Sequence, residues 1–185
     1  MNTKTMSATI IGAAKEVFLQ NGYPKTTVED IVSRAEITKE EFEKCFDSLN
    51  DCCLKVLKSY AQDAKRDFKA FEENDNSRQR LSLLLDKFYE DAETLAQEGD
   101  PVLNLYYDLR NMDNELSKAV KDILDLRHKW IDEQFIIMLK TESAVDQGDR
   151  LMGAVCGLLL LVKLNGDAQM FKNQIIQLRS WIRSM

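Results

Sequence analysis

Apolar side chains recur every three or four positions in several stretches of this chain, a spacing that is typical of amphipathic α-helices. The first stretch runs from Ser7 to Gln20. It should end at Asn21 and Gly22, because glycine tolerates the left-handed backbone of a helix C-terminus and Pro24 prevents the helix from resuming. The apolar side chains of this predicted helix are Ile10, Ile11, Ala14, Val17 and Phe18.

Two short helices are predicted next. Thr26 and Thr27 offer hydroxyl caps for the first of them, and its apolar side is set by Val28, Ile31, Val32 and Ala35. Thr38 with Glu41 three positions later forms a capping-box pattern for the second, after a link of about three residues. A longer fourth helix should then carry the chain out of a small N-terminal domain.

The rest of the chain continues with helical periodicity. Further helices are predicted near 78–98, 101–111, 114–141, 146–165 and 167–184. Of the 185 residues, 44% are hydrophobic, 30% are charged and only two are proline, a composition that suits helices joined by short turns. We therefore expect an all-α protein of about nine helices, with one domain over residues 1–58 and a larger one over 59–185.

Three short helices in about 40 residues, with a short turn before the third, are typical of a helix-turn-helix. Geometry of this kind also occurs in ordinary small helical bundles, so the residue pattern carries more weight. That pattern reads Ala13-Ala14, Phe18, Asn21-Gly22-Tyr23, Thr26-Thr27-Val28-Glu29-Asp30-Ile31, Ala35, Ile37-Thr38-Lys39, Phe42, Phe46, Ser48 and Asp51. It resembles the DNA-binding domain of the TetR (tetracycline-repressor) family over roughly residues 8–58. Beyond residue 58 only the family's general layout is recognisable, a longer helical domain for ligand sensing and dimerisation.

The resemblance implies roles for individual residues. Thr26 and Thr27 would hold DNA phosphates, although plain helix capping explains both hydroxyls equally well. The third helix would face the major groove, with Phe42 and Phe46 in the core. The residues assigned to DNA binding in this way are Lys25, Thr26, Thr27, Thr38, Lys39, Glu41, Lys44 and Cys45.

Three positions depart from the family pattern. Glu40 stands where a small residue is usual, Glu43 where a tyrosine usually contacts the DNA backbone, and Leu49 where a lysine commonly opens the fourth helix. Residues 1–58 hold eight basic and nine acidic side chains, a net charge of −1, within a chain of net charge −6. Since DNA affinity depends largely on phosphate neutralisation, we expect DNA binding that is weak, directed to an unusual operator, or lost.

The helix near 146–165 is apolar almost all the way round, which predicts a partner surface as well as a core. Gly153, Ala154, Cys156 and Gly157 would let a second helix approach closely. By the family resemblance, this helix and the last one would pair with their twofold copies in a homodimer suited to a palindromic operator; the alternative is an ordinary buried helix. The predicted interface residues are Leu151, Val155, Leu158, Leu159, Val162, Ile175, Leu178 and Trp181.

A ligand pocket is indicated only by a mixture of aromatic and polar side chains, which is more often plain core. The candidate ligand-binding residues are Phe88, Tyr106, Tyr107, Arg110 and His128. Asp125 and His128 have the spacing of half a di-iron motif, but there is no second histidine. Cysteine spacing does not suggest zinc, and no catalytic motif is recognisable, so we expect no metal, no cofactor and no enzyme activity.

The leading hypothesis is a ligand-responsive transcriptional repressor that binds operator DNA as a homodimer and responds to a small-molecule effector of unknown identity. The alternative is a TetR-like helical interaction protein that has lost DNA binding. A ligand-binding or catalytic helical bundle has the least support. The longest apolar stretch, Leu151 to Leu164, spans about 14 residues, short of the roughly 20 that cross a bilayer. We therefore expect no membrane association. Met1 to Ile10 show no basic-then-apolar signal pattern, so we expect a reducing cytoplasmic location in which the thiols stay free.

Overall fold

The computed structural model describes residues 3–112 and 114–185, with side chains for all of these except residues 3, 4 and 142. Over these residues the backbone forms helices, turns and loops and no β-strand, which confirms the all-α expectation. The first four helices are α1 (Thr3–Asn21), α2 (Val28–Ala35), α3 (Lys39–Glu43) and α4 (Leu49–Phe71), with a 3-10 turn at Tyr23–Lys25. The others are α5 (Ser77–Glu90), α6 (Ala92–Glu98), α7 (Pro101–Leu109), α8 (Glu115–Leu139), α9 (Val145–Asn165) and α10 (Ala168–Ser184).

The stop and start signals of the first helices act as predicted. Gly22 has φ 75°, and its N–H donates to the carbonyl of Phe18 at 2.9 Å, which ends α1. Thr27 and Thr38 are the N-caps of α2 and α3, and each takes part in a reciprocal capping box. These bonds join residues three positions apart, so local sequence is sufficient to specify them.

The predicted helix 78–98 is interrupted. Asp91 has φ −81° and ψ 2°, and its N–H is shared between the carbonyls of Lys87 and Tyr89. The chain therefore changes direction between α5 and α6 while Leu85 and Ala92 on either side remain buried. An unbroken periodicity of apolar residues continues through such a break, so the pattern does not reveal it.

Residues divide into two compact units, which differ from the expected domains 1–58 and 59–185. Unit 1 comprises residues 1–62 and 101–124, and unit 2 comprises 63–100 and 125–185. In unit 1, Val102, Leu105 and Leu109 of α7 and Leu116 of α8 join a core that α1 to α4 begin. A boundary drawn at one point of the sequence cannot anticipate that a later segment packs with the N-terminal helices.

Unit 2 is built on α5, α6, α9 and α10, together with the end of α4 and most of α8. Trp130 of α8 stacks on Phe68 with ring centroids 4.6 Å apart, and its indole N–H donates to the Glu72 carboxylate at 2.8 Å. Nearby, Arg80 donates to the side-chain oxygen of Gln134 at 3.2 Å and to the carbonyl of Asn74 at 2.6 Å. These bonds fasten the loop after α4 to α5 and α8.

Candidate nucleic-acid interface and subunit-contact face

The helices α2 and α3 are joined by residues 36–38, in the arrangement of a helix-turn-helix. Glu36 adopts the left-handed conformation at φ 54°, and the N–H of Ile37 donates to the carbonyl of Val32 at 3.2 Å. Ile31 of α2 and Phe42 of α3 are fully buried beneath this turn. The two helices are therefore held from below, and their polar sides remain exposed.

The start of α2 uses its two threonines differently. Thr26 is only 5% exposed, and its hydroxyl donates to the carbonyl of Gly22 at 2.8 Å. Thr27 is exposed, its hydroxyl donates to the Asp30 carboxylate at 2.7 Å, and it accepts the N–H of Asp30 at 3.2 Å. The expectation that both hydroxyls hold phosphate is therefore corrected for Thr26, which is buried and already bonded. Lys25 and Thr27 are the predicted residues that this end of α2 presents at the surface.

The predicted residues of α3 also divide into exposed and engaged side chains. Glu41 is half-buried, and its carboxylate accepts the N–H of Thr38 at 2.9 Å, so it serves the cap. Cys45 is half-buried and packs against the core of unit 1. Lys39 and Lys44 are exposed, so these two cations are the side chains of the predicted set best placed to meet DNA phosphates.

An ion pair joins the beginnings of the two helices. The ammonium of Lys39 lies 3.1 Å from the carboxylate of Glu29, and both side chains are exposed. The hydrogen bond from Lys39 lowers the pKa of Glu29, and the same bond raises the pKa of Lys39. Glu29 lies in the first turn of α2 and Lys39 is the first residue of α3. The spacing of ten residues spans a turn, so no helical periodicity indicates the pair.

The exposed side of α3 also carries acidic side chains. Glu40 and Glu43 are both exposed on α3. Hydrogen bonds from its own backbone N–H and from Thr38 lower the pKa of Glu40, so that carboxylate is ionised at neutral pH. We call the exposed side chains from Lys25 to Lys44 the α2–α3 surface. It carries charges of both signs.

The predicted subunit interface lies on α9 and α10. Six of the eight predicted interface residues are buried within the chain itself, so they have almost no surface for a partner to cover, and that part of the expectation is corrected. They are Leu151, Val155, Leu158, Leu159, Val162 and Ile175. Leu178 and Trp181 are half-buried.

The opposite side of α9 is apolar as well and lies open. Leu160, Leu161 and Leu164 are 54%, 43% and 75% exposed. Gly157 lies one turn earlier and Gly153 two turns earlier on the same side, and a Cβ added to either would have no atom within 4 Å. These five residues form what we call the α9 face. Ile176, 43% exposed, adds an apolar side chain on α10, which packs against α9.

The predicted ligand-binding residues fall in different units. Tyr106, Tyr107 and Arg110 belong to unit 1, where the Arg110 guanidinium lies 5.4 Å from the Tyr107 ring centroid. Phe88 and His128 belong to unit 2. Phe88 is buried, with the guanidinium of Arg127 lying 5.3 Å from its ring centroid.

His128 lies between two carboxylates of unit 2. Its Nε2 is 2.8 Å from Asp149 of α9 and 3.6 Å from Asp132 of α8. Burial raises the pKa of Asp132, with a smaller opposing contribution from His128. Within the described ranges, no group of three or more His, Cys, Asp or Glu side chains is arranged to hold a metal ion.

The cysteines are all free thiols. Cys52 and Cys53 are buried in unit 1, and burial raises the pKa of each to about 12. Burial likewise raises the pKa of Cys156 in unit 2. At neutral pH these three thiols are therefore protonated and weakly nucleophilic.

None of the helices in the described part of the chain has the length and apolar character needed to cross a membrane.

The chain is similar to known proteins in its N-terminal domain, in its sequence and in its fold. Residues 10–48 match the family model of the bacterial regulatory proteins of the tetR family. The chain is 22% identical over 184 residues to an uncharacterized HTH-type transcriptional regulator in the lacX 3′ region of Lactococcus lactis subsp. lactis, covering 97% of this chain and 94% of that protein.

Solved structures extend the likeness over the rest of the fold. A TetR-family transcriptional regulator from Agrobacterium tumefaciens superposes with a TM-score of 0.86 at 17% identity, covering 97% of this chain and 98% of that one. A TetR-family regulator from Cytophaga hutchinsonii gives 0.82 at 15% identity over 100% and 96%. NemR of E. coli in its reduced form gives 0.81 at 14% identity over 94% of both chains.

The geometry of α2 and α3 and the matched family model define the N-terminal helices as a helix-turn-helix domain of the kind found in bacterial regulatory proteins. The N-terminal helices therefore form a TetR-family domain, and the chain as a whole has the fold of the TetR-family regulators named above. The family expectation drawn from the pattern between Ala13 and Asp51 is thereby confirmed.

Proposed function

We propose that the protein is a ligand-responsive repressor that binds operator DNA as a homodimer in the cytoplasm. The observation that carries this proposal is the helix-turn-helix of α2 and α3, with exposed Lys39 and Lys44 on the second helix. An α-helix fits the major groove of B-DNA, and the preceding helix braces it against the phosphate backbone. Lys25 and Thr27 lie where α2 begins, which suits phosphate contact at that end.

The proposed DNA binding is modest in strength. The cation of Lys39 is shared with Glu29, and Glu40 and Glu43 place negative charge on α3. Each acid near a phosphate opposes the counterion release from which most DNA affinity derives. We expect only about three effective phosphate contacts per half-site, and a dimer should then show a log-log salt slope near −5, at roughly −0.9 per phosphate.

The proposed subunit contact is the α9 face with Ile176. Exposed leucines beside glycines that leave open space favour close approach of a helix of similar shape. A second copy of the chain offers the same shape through a twofold axis, and such an interface is closed and self-complementary. A twofold dimer would present two α3 helices to the two halves of a palindromic operator.

The proposed effector acts through the helical domain and changes the separation of the two DNA-reading helices. Support for an effector comes from the family resemblance and from the polar groups packed among the helices of unit 2, where Arg127 and Asp100 form a buried ion pair. Phe88 and His128 of unit 2 remain proposed contacts of a hydrophobic or amphipathic molecule, and Tyr106, Tyr107 and Arg110 of unit 1 remain separate candidates.

A salt titration of DNA binding tests the function. Fluorescence anisotropy would follow binding to the gene's own upstream region and to DNA selected from a random pool. We expect saturable binding in low salt with the slope given above. Lys44→Ala should weaken binding about 3- to 10-fold by removing a phosphate contact. Lys69→Ala, an equal charge change on α4 within unit 2, should leave it unchanged.

The alternative is a TetR-like interaction protein without DNA binding, favoured by the acids of α3. Replacing Glu40 with Gly and Glu43 with Tyr removes two negative charges and adds a hydroxyl donor, so it should tighten binding to any DNA. If neither the wild type nor this double variant binds DNA in low salt, the alternative replaces the repressor proposal.

A further inference from the structure

A groove of about 450 Å³ lies between the beginning of α5 and the end of α10, entirely within unit 2. Arg78 and Gln79 line it from α5, and Arg179 and Arg183 line it from α10. Its volume falls in the range of small-molecule sites. The groove shares none of the five candidate ligand-binding residues named above.

The charge of this groove contrasts with the charge of the chain. Three guanidinium groups line it, and Asp86 is its one acidic side chain. The chain as a whole has a net charge of −6. Asp86 is already bound to Arg179, with Oδ1 2.7 Å from Nη1. Within the described part of the chain, the guanidinium groups of Arg78 and Arg183 form no ion pair. The groove is therefore a local concentration of uncompensated positive charge.

The hydrogen-bonding capacity of Arg179 is incompletely used. Its Nε–H is buried and has no acceptor in the described part of the chain. A buried donor without an acceptor is costly, and native structures seldom leave one unmatched. Asp86 holds one side of this guanidinium, and a second oxygen would complete its planar fork.

The beginning of α5 adds to the same field. This helix has 14 residues, and its N-cap, Asn76, lines the groove and accepts the N–H of Arg78 at 2.9 Å. The positive end of a helix dipole favours an anion within its first turn. The dipole is a secondary contribution here, since the three guanidinium groups supply most of the charge.

We propose that this groove is a binding site for a small multivalent oxyanion, a molecule that carries phosphate or carboxylate groups. Guanidinium forks match the oxygen geometry of both groups, and several of them together suit a ligand with more than one negative charge. Arg78 and Arg183 would bind the ligand directly from α5 and α10. Arg179, oriented by Asp86, would contribute from between them.

Isothermal titration calorimetry on the full chain without DNA would test the site. Pyrophosphate and citrate are the probes, titrated separately at constant ionic strength made up with NaCl. We expect one saturable site per chain for at least one probe, and the tighter of the two identifies the preferred ligand group. Because no DNA is present, the outcome does not depend on the proposed repressor function.

Three variants of groove residues and one control variant test which side chains bind the probes. Arg183→Gln and Arg78→Gln should each weaken binding about 10-fold, as expected for loss of a charge-assisted hydrogen bond. Arg66→Gln, an equal charge change on exposed α4 outside the groove, is the control and should bind like the wild type. Asp86→Asn should tighten binding several-fold because it frees Arg179 from its carboxylate.

Two results would overturn the proposal. One is the absence of saturable binding of either probe at millimolar concentration. The other is equal weakening by Arg66→Gln and the two groove variants, which would mean that the probes respond to overall charge. Circular dichroism of each variant ensures that a loss of binding is not a loss of fold.

Discussion

The α2–α3 surface and the α9 face differ in whether their side chains already have partners within the chain. On the α2–α3 surface, Thr27, Thr38 and Glu41 are engaged in caps, and Lys39 is paired with Glu29. On the α9 face, the leucines are exposed and the glycines have open space around them. The first surface is organised before any partner arrives, whereas the second has apolar area that only a partner can cover.

This difference indicates two kinds of contact. A charged surface loses little by facing water, so it can bind and release DNA as salt and effector conditions change. Burial of exposed leucines against a partner is favourable, at roughly 25 cal/mol per Å² of apolar surface removed from water. We therefore expect the α9 face to support a lasting subunit contact and the α2–α3 surface a reversible one.

The largest expected effect comes from a charge in the α9 face. Leu164→Glu should weaken self-association by roughly 100-fold or more, because dimerisation would bury an unpaired carboxylate. Leu164 is 75% exposed, so the fold of a single chain should tolerate the change. Sedimentation equilibrium measures the association constant.

Ile137→Glu is the matched control for this prediction. Ile137 is 54% exposed on α8, outside the α9 face, and the same substitution there should leave the dimer intact. A wild-type chain that is monomeric at micromolar concentration would contradict the proposed interface, and so would an undiminished Leu164→Glu dimer.

Alanine substitutions at two glycines of α9 should affect different properties, the stability of a single chain at one position and the association of two chains at the other. A Cβ at Gly148 would overlap Oδ1 of Asp132 and lie 3.2 Å from its Cα, so Gly148→Ala requires this side chain to move and the backbone of α8 to shift by a few tenths of an ångström. We expect it to lower the free energy of unfolding by about 1–3 kcal/mol. Gly157→Ala meets no atom within 4 Å and should stabilise a single chain by about 0.5–1 kcal/mol through helix propensity.

Urea unfolding and sedimentation distinguish the two glycine variants. Since a dimer contributes its association energy to apparent stability, unfolding is compared in the dissociated Leu164→Glu background. Gly157→Ala should weaken the dimer of the otherwise wild-type chain, because its methyl group occupies the approach of the second helix. Equal stability of the two variants would contradict the described packing of α9.

A smaller effect is expected from the cap of α3. Thr38→Ala removes the oxygen that accepts the Glu41 N–H at 3.2 Å and should cost about 1 kcal/mol of stability. Thr9→Ala is the control, because Thr9 is an exposed residue within α1 and alanine is the better helix former there. Urea unfolding would refute the role of the cap if the two variants lost equal stability.

The smallest effect concerns the ion pair on the α2–α3 surface. Glu29→Gln should tighten DNA binding about 2- to 5-fold, because it releases Lys39 from an ion pair that solvent already weakens. Acidification is a poor substitute for this variant, since Lys39 lowers the pKa of Glu29 and keeps it ionised. Asp122→Asn, an equal charge change on exposed α8 of unit 1, is the control in the same anisotropy assay. Equal tightening by both variants would reduce the effect to overall charge.

Local signals in the sequence predicted most of the N-terminal helices. Gly22 ends α1, and Thr27 and Thr38 cap α2 and α3, because each of these features depends on atoms only a few residues apart. The burial of Phe42 and Phe46, which the family resemblance implied, is confirmed.

The tertiary structure decided what periodicity leaves ambiguous. Thr26 and Thr27 are adjacent and chemically alike, yet packing buries Thr26 against Gly22 and exposes Thr27. The same ambiguity affects the predicted interface, because six of its eight residues pack within their own chain. A helix that is apolar all the way round does not indicate which side packs against its own chain.

The all-α fold and the helices of the helix-turn-helix follow from the sequence, because helix periods, caps and stops are properties of neighbouring residues. Tertiary packing, in contrast, makes Leu151 and Val155 core and leaves Leu161 and Leu164 exposed. It also brought α7 into unit 1 and gathered Arg78 with Arg183 in one groove. These relations join residues far apart in the chain, and the packing of whole helices sets them rather than any local preference.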